Sequence, residues 1–287
     1  MKSFLKSLLK MPFRWVDPMF YQHDRLLQSI HQVQVDRYVA ELRSLECHKE
    51  VSCLIPHGFK AFSQFDEDGI IEEIFNRIGI CNSSFVEIGI GDGLENNSLY
   101  LLQKGWSGMW IDGAKTNVNA ARAKFSSVLD KTLTIKNEFV TPDNVNAVIS
   151  DFPYSELDFF SLDVDGNDYH IWKSITYLKP RVVCLEYNAK FRPPVEWVMK
   201  RNDTHWQDKS DYFGASLKSM ELLSAEKGYS LVGCSLTGAN AFFVRNDLVG
   251  DKFLAPFTAE KHYQPCRYPI AWRYRSGMSA NFGPKES

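Results

Sequence analysis

Two stretches of this 287-residue chain bring chemistry-bearing residues together. Glu87-Ile88-Gly89-Ile90-Gly91-Asp92-Gly93 closes a short apolar run at 84–88. Glycines at such a point let the backbone turn sharply and come close to a ligand. The densest polar stretch is Leu162-Asp163-Val164-Asp165-Gly166-Asn167-Asp168-Tyr169-His170, and Glu186-Tyr187-Asn188 closes the next apolar run. His170 carries an imidazole that titrates near neutrality, so it is a candidate proton acceptor, with Asp163 and Asp165 beside it. Asp165, Glu186 and Asn188 offer the hard oxygens that Mg²⁺ prefers. Each residue also has a plainer reading. Glu87 and Asp112 could cap neighbouring helices, and Asp163 could hold a strand end. Residues 165–168 could form an ordinary turn, and His170 could open a helix with its ring in solvent.

The elements that must position these residues follow from hydrophobic pattern. Strands are predicted at 84–88, 108–112, 133–136, 157–164 and 181–186, with helices at 97–104 and 118–125 between them. Alternation at that spacing builds βαβ units and a parallel sheet covered on both faces, an α/β fold. Parallel neighbours end on one edge, so the glycine turn and both polar clusters should face one pocket. A helix at 217–227 precedes strands at 229–235 and 241–245. The short gap between those strands holds no crossover, so they should pair antiparallel. Upstream, Ser63 is expected to cap a helix whose first turn carries Asp66, Glu67 and Asp68. Residues 24–45 read as a long helix, and Phe4, Leu5, Leu8 and Leu9 form an apolar face opposite Lys2, Lys6 and Lys10 until Pro12 breaks the pattern. The expected domains are a helical extension at 1–55, an α/β domain at 56–250 and an aromatic, basic tail at 251–287.

The glycine spacing, with Glu87 two residues ahead of Gly89, resembles motif I of class I S-adenosylmethionine (SAM) methyltransferases. The dinucleotide fingerprint needs a third glycine where this chain has Leu94. The resemblance implies a Rossmann-like, seven-stranded, mostly parallel sheet with the C-terminal antiparallel hairpin. It also implies a cofactor site made of Glu87, Gly89, Gly91, Gly93, Asn97 and Asp163, with Asp112 taking the ribose hydroxyls and Asn137 and Glu138 at the adenine end. The run 163–175 followed by 182–188 is similar to macrocin-type sugar O-methyltransferases, which hold magnesium there. This chain departs from them in having Glu186-Tyr187-Asn188 where they have two adjacent acids. Ser63-Gln64-Phe65-Asp66-Glu67-Asp68 and the 162–168 run resemble FkbM-type methyltransferases. These likenesses imply O-methyl transfer from SAM to a sugar hydroxyl of a surface polysaccharide or glycosylated metabolite, with the proton taken by His170 or the hydroxyl polarised by Mg²⁺.

Composition narrows the partners. Lys+Arg of 33 against Asp+Glu of 35 gives a net charge of −2, which disfavours nucleic acid. Asn188, Arg192, Trp197, His205 and Trp206 could stack on and clamp a sugar or glycan, and an anionic one would suit them. The six scattered cysteines contain no C-x-x-C pair and read as free thiols of a reducing compartment. A cytoplasmic protein is expected, with residues 1–14 able to rest on the inner face of a membrane or on a partner subunit of a homo-oligomer. The competing functions are a nicotinamide-dependent oxidoreductase and a non-catalytic SAM-fold module that binds glycan or membrane.

Overall fold

The computed structural model describes residues 11–204 and 210–271, with side chains from 22 onward. The predicted amphipathic segment at its start, His205, Trp206 and the basic tail beyond 271 lie outside the described residues. Two compact units divide at Leu45, the second comprising Glu46–Ala271. In the first, a single helix, α1, runs Met11–Arg43, not from 24 as the pattern predicts. Pro12 falls in its first turn, where a missing N–H costs no helical bond. Leu26, Leu27, Ile30 and Val33 of α1 are exposed, whereas Val35, Val39 and Leu42 are buried. No helix among the described residues is long and apolar enough to cross a membrane.

The second unit is built on a seven-stranded sheet in the order β3-β2-β1-β4-β5-β7-β6. Its strands are β1 (Ser84–Ile88), β2 (Ser107–Asp112), β3 (Leu133–Asn137), β4 (Phe159–Leu162), β5 (Val182–Glu186), β6 (Tyr229–Cys234) and β7 (Asn240–Arg245). The first five are parallel, and β7 runs antiparallel to both β5 and β6. The predicted hairpin is therefore present, with its second strand inserted between β5 and β6. Every residue of β1 is buried, as expected of a central parallel strand covered on both faces. Val86 and Ile88 join one core with Phe160, Leu162, Trp172 and Leu185. Phe85 joins the other with Trp110, Phe159 and Val118. Burying large side chains on both faces fixes the register, so the strand ends line up on one edge.

Helix α2 (Glu67–Ile78) starts later than Ser63, and Ser63 is not its cap. Asp68 turns back over the approaching chain instead. Its Oδ2 accepts from the backbone N–H groups of Ala61 (2.7 Å), Phe62 (2.6 Å) and Ser63 (2.8 Å), and Ser63 Oγ accepts from Asp68 N–H. The hydroxyl thus takes one N–H of the first turn from a distance, while the carboxylate, the stronger acceptor, gathers the three N–H groups of the approaching chain. Glu67 accepts from Phe65 N–H and from Asn240 Nδ2, tying this segment to β7. The remaining helices of the unit are α3 (Leu99–Gln103), α4 (Lys115–Lys124), α5 (Val145–Ile149), α6 (Asp168–Ser174), α7 (Leu217–Glu226), α8 (Asn246–Val249) and α9 (Ala259–His262). Helix α5 has only five residues, too few to show a helical period.

At the opposite edge of the sheet, Asp158 is fully buried ahead of β4. Its carboxylate accepts from the backbone N–H groups of Cys81 (2.9 Å), Asn82 (2.8 Å) and Ser83 (2.7 Å), and Arg181 Nε lies 3.4 Å away. This one side chain closes the loop that leads into β1. Asp158→Ala would remove the acceptor of three backbone N–H groups and leave Arg181 without its acidic partner, and is expected to destabilise the protein by about 3 kcal/mol, measured by urea unfolding.

Candidate active site

The site forms where β1 and β4 end side by side. Asp163 N–H donates to Ile88 O at 3.0 Å, and Gly89 N–H donates to Ile111 O at 2.8 Å. Gly89 has φ +90°, and a Cβ placed there would lie 1.5 Å from the Asp163 carbonyl oxygen. No residue with a side chain fits between these two strand ends. Gly91, at φ +57°, gives its N–H to Asp112 Oδ2 at 2.9 Å, which carries the turn across to the end of β2.

Glu87 and Asn97 lie behind this turn. Glu87 is 2% exposed and accepts from the N–H groups of Asn97 and Ser98, both at 2.9 Å, and from Ser98 Oγ. Asn97 Nδ2 donates to Ser161 Oγ at 3.0 Å. Both residues hold the segment leading into α3, and neither lines the cavity described next. Gly93 is likewise packed away, where a Cβ would lie 2.9 Å from the Trp110 ring. Asn137 braces the end of β2, its Nδ2 donating to the carbonyls of Asp112 (3.0 Å) and Gly113 (3.1 Å).

A cavity of about 570 Å³ opens in front of the strand ends. Gly89, Gly91, Asp112, Ala114, Asn117 and Glu138 line one end, with Phe139 and Val140 beyond them. Asp163, Asp165, Gly166 and Asn167 line the other, under Met199, Asn202 and Thr204. Asp112 accepts from Ala114 N–H at 2.7 Å as well as from Gly91, so its carboxylate is fixed at the cavity wall. The described lining includes the acids Asp92, Glu95, Asp112, Glu138, Asp163 and Asp165, and it includes no Lys, Arg or His. The sequence reading missed Asn117, Phe139, Met199, Asn202 and Thr204. Phe139 follows the flagged Glu138, but nothing local marks the other four.

The chemistry cluster is an acid triad. One carboxylate oxygen each from Asp163, Asp165 and Glu186 lies within 4.8 Å of the other two. Asp168 holds their turn open by accepting from Val164 N–H (2.9 Å) and Gly166 N–H (3.0 Å), while Asp165 takes a left-handed φ of 56°. Burial, then the charges of Asp168, Asp165 and Glu87, push the Asp163 carboxyl well above its ordinary value. Burial, then Asp163, Asp168 and Asp165, do the same to Glu186, and one Glu186 oxygen is buried with no hydrogen-bond partner. Asp168 is pushed up to about 6, mainly by burial. Crowded carboxyls of this kind hold protons at pH values where exposed ones are fully ionised.

Two expected members are not brought to the triad. Asn188 is fully buried; its Nδ2 donates to the carbonyls of Asp211 (2.9 Å) and Phe213 (3.0 Å), and its Oδ1 accepts from Lys190 N–H (3.1 Å). Its amide is spent on the backbone, so it offers neither a metal ligand nor a substrate contact. His170 sits in the first turn of α6 with Nε2 2.9 Å from Met199 O. A carbonyl only accepts, so that nitrogen carries a hydrogen. The ring is turned to the 199–204 segment and is not part of the cavity lining.

The aromatic candidates lie outside the cavity lining. Trp197 stacks on Phe191 with centroids 4.1 Å apart and meets Tyr212 edge-on at 5.5 Å. Arg192 is exposed, its guanidinium 5.9 Å from the Tyr263 ring.

The strand order and the inserted antiparallel β7 make this a Rossmann-like methyltransferase fold. Similar solved structures include a SAM-dependent methyltransferase from Aquifex aeolicus (TM-score 0.36, 12% identity, 60% of this chain and 87% of that one). Another is magnesium protoporphyrin IX methyltransferase from Synechocystis PCC 6803 with bound SAM (0.42, 13%, 62% and 77%). A third is the bifunctional kinase-methyltransferase WbdD (0.38, 18%, 61% and 38%). No family model matches the chain. No curated protein matches it either.

Asp163, Asp168 and Glu186, all raised by burial, predict a pH dependence. A carboxyl whose folded-state value is raised binds its proton more tightly when folded, so stability is lost as pH rises past the unfolded value near 4 and through the folded one. Thermal unfolding is therefore expected to show a higher midpoint at pH 5 than at pH 8. Glu186→Gln removes one crowded charge without changing shape, and it should raise the pH 8 midpoint and narrow that gap.

Proposed function

We propose that the protein is a SAM-dependent O-methyltransferase acting on a sugar hydroxyl of a surface polysaccharide or glycosylated metabolite. The observation that carries this reading is the charge of the cavity. SAM brings a sulfonium and an ammonium, and acids make up every ionisable residue in the described lining. A nicotinamide dinucleotide would bring a pyrophosphate, which binds free N–H groups at a helix start. Here the N–H groups ahead of α3 are already taken by the buried carboxylate of Glu87. A volume of about 570 Å³ suits a nucleoside-sized donor with room for one acceptor group.

The donor supplies an electrophilic methyl group. Asp112 would take two neighbouring ribose hydroxyls as a bidentate acceptor, and Glu138 with Phe139 would flank the adenine. At the other end, Asp163, set among Asp165 and Glu186, would replace His170 as the acceptor of the hydroxyl proton. A raised carboxyl value brings the base closer to the working pH. The same three oxygens fit Mg²⁺ in type and number, and a cation would relieve their mutual repulsion; Asn188 has no part in that set. The acid wall favours a neutral hydroxyl at the reacting end. Charged parts of an acceptor would sit further out, towards Arg192, Trp197 and Tyr212. This chemistry needs only cytoplasmic SAM, in keeping with free thiols such as Cys184 and Cys234.

Calorimetry with SAM, S-adenosylhomocysteine and NAD tests the reading on intact protein. Binding of the first two and none of NAD is expected, and heat with NAD alone would overturn it. Asp112→Ala should weaken SAM binding by about 100-fold or more, the cost of two charge-assisted hydrogen bonds at about 1.5 kcal/mol or more each.

A further inference from the structure

We infer that residues 199–204 form a strap across the donor cavity, and that Asp143 and Arg201 are the positioning pair that latches it. The inference rests on the donor site proposed above. Met199, Asn202 and Thr204 line the cavity, so the strap is part of its wall. Its start is tied to the 212–214 segment, Met199 N–H donating to Gly214 O at 2.9 Å and Lys200 N–H to Tyr212 Oη at 3.2 Å, and the rest is tied down on two sides.

On the β4 side the ties are inward. Asn167 grips the backbone of Asn202 at both ends of its amide: Oδ1 accepts from Asn202 N–H at 3.0 Å and Nδ2 donates to Asn202 O. His170 Nε2 donates to Met199 O at 2.9 Å. The Met199 sulfur lies 3.4 Å from where a Cβ would stand on Gly166, so the strap rests directly on the acid turn. His170, expected from the sequence to be the base, is therefore a positioning residue that anchors the wall.

On the β3 side there is one tie, and it is outward. Arg201 forms a bidentate pair with Asp143, Nη1 to Oδ1 at 3.1 Å and Nη2 to Oδ2, and it also grips Asp203 within the strap. Asp143 belongs to the loop that carries Phe139 and Val140, the cavity residues opposite the triad. That loop is braced by Asn144, whose Oδ1 accepts from Thr141 N–H (2.7 Å) and whose Nδ2 donates to Phe139 O (2.9 Å). The strap thus spans the cavity from the end of β4 to the end of β3. The Asp143 side chain is 77% exposed and that of Arg201 36%, so the latch is hydrated and screened by salt, whereas the anchors are partly buried. Opening begins at the latch, and Asn167 and His170 act as the hinge, as in other lids that gate a site.

Stopped-flow release of S-adenosylhomocysteine and hydrogen exchange of the donor-free protein test this together. Asp143→Asn and Arg201→Gln should each speed release about two- to fivefold, the range of an exposed ion pair. The double variant should be no faster than either single one, because both remove the same contact. Raised salt should speed release from the native protein and leave the variants unchanged. Without donor, the amides of 199–204 should exchange faster in Asp143→Asn than in the native protein. Unchanged release in both single variants, or additive effects in the double, would overturn the latch. A native protein that binds no donor yet shows the faster exchange in Asp143→Asn would sink the donor reading and leave the strap standing.

Discussion

The site depends on one close approach, that of the Gly89 backbone to the carbonyl of Asp163. With a Cβ position only 1.5 Å from that oxygen, the ends of β1 and β4 touch through main chain alone. The contact puts the glycine turn and the acid turn on the two sides of a single cavity. It holds because large side chains on both faces, Val86 and Phe160 on one and Phe85 and Phe159 on the other, lock the strands in register behind it. The fold thus fixes the site from behind, and glycine is the residue that lets the two strand ends meet.

The charge gathered there costs stability. Asp163, Asp165, Asp168 and Glu186 crowd one strand edge, with Glu87 close enough to raise Asp163 further. Asp168 recovers part of that cost through two backbone N–H groups, but one Glu186 oxygen has none. A fold selected for stability alone would not keep such a group unsatisfied. An unsatisfied acid here is what the function proposed above would use, since a cationic donor would meet it.

Much of this was legible in the sequence. Strand β1 has the predicted limits, the final two strands pair antiparallel as their short gap requires, and the glycine turn and Asp112 meet at one cavity. What failed depends on partners distant in the chain. Asn188 reads as a ligand beside Glu186, until Asp211 and Phe213 claim its amide. Met199 and Asn202 carry no motif of their own; they become cavity wall only because Asn167 and His170 hold them.

His170 shows how residue type and position can both be right and the role still differ. It does follow the acid turn on the proper edge of the sheet, as a base should. Its ring, however, meets a carbonyl from a segment 29 residues further on, and that bond fixes which atom it can offer. With the imidazole committed to the wall, the function proposed above would give the proton to a carboxyl that faces the cavity, Asp163. On that proposal the site would serve two ends: its acidic charge would draw a cationic donor, and burial, which raises Asp163, would make that carboxyl a better proton acceptor. An anionic group brought to the same point would oppose both, so the reacting end of the acceptor would have to be neutral even if its remainder carried charge.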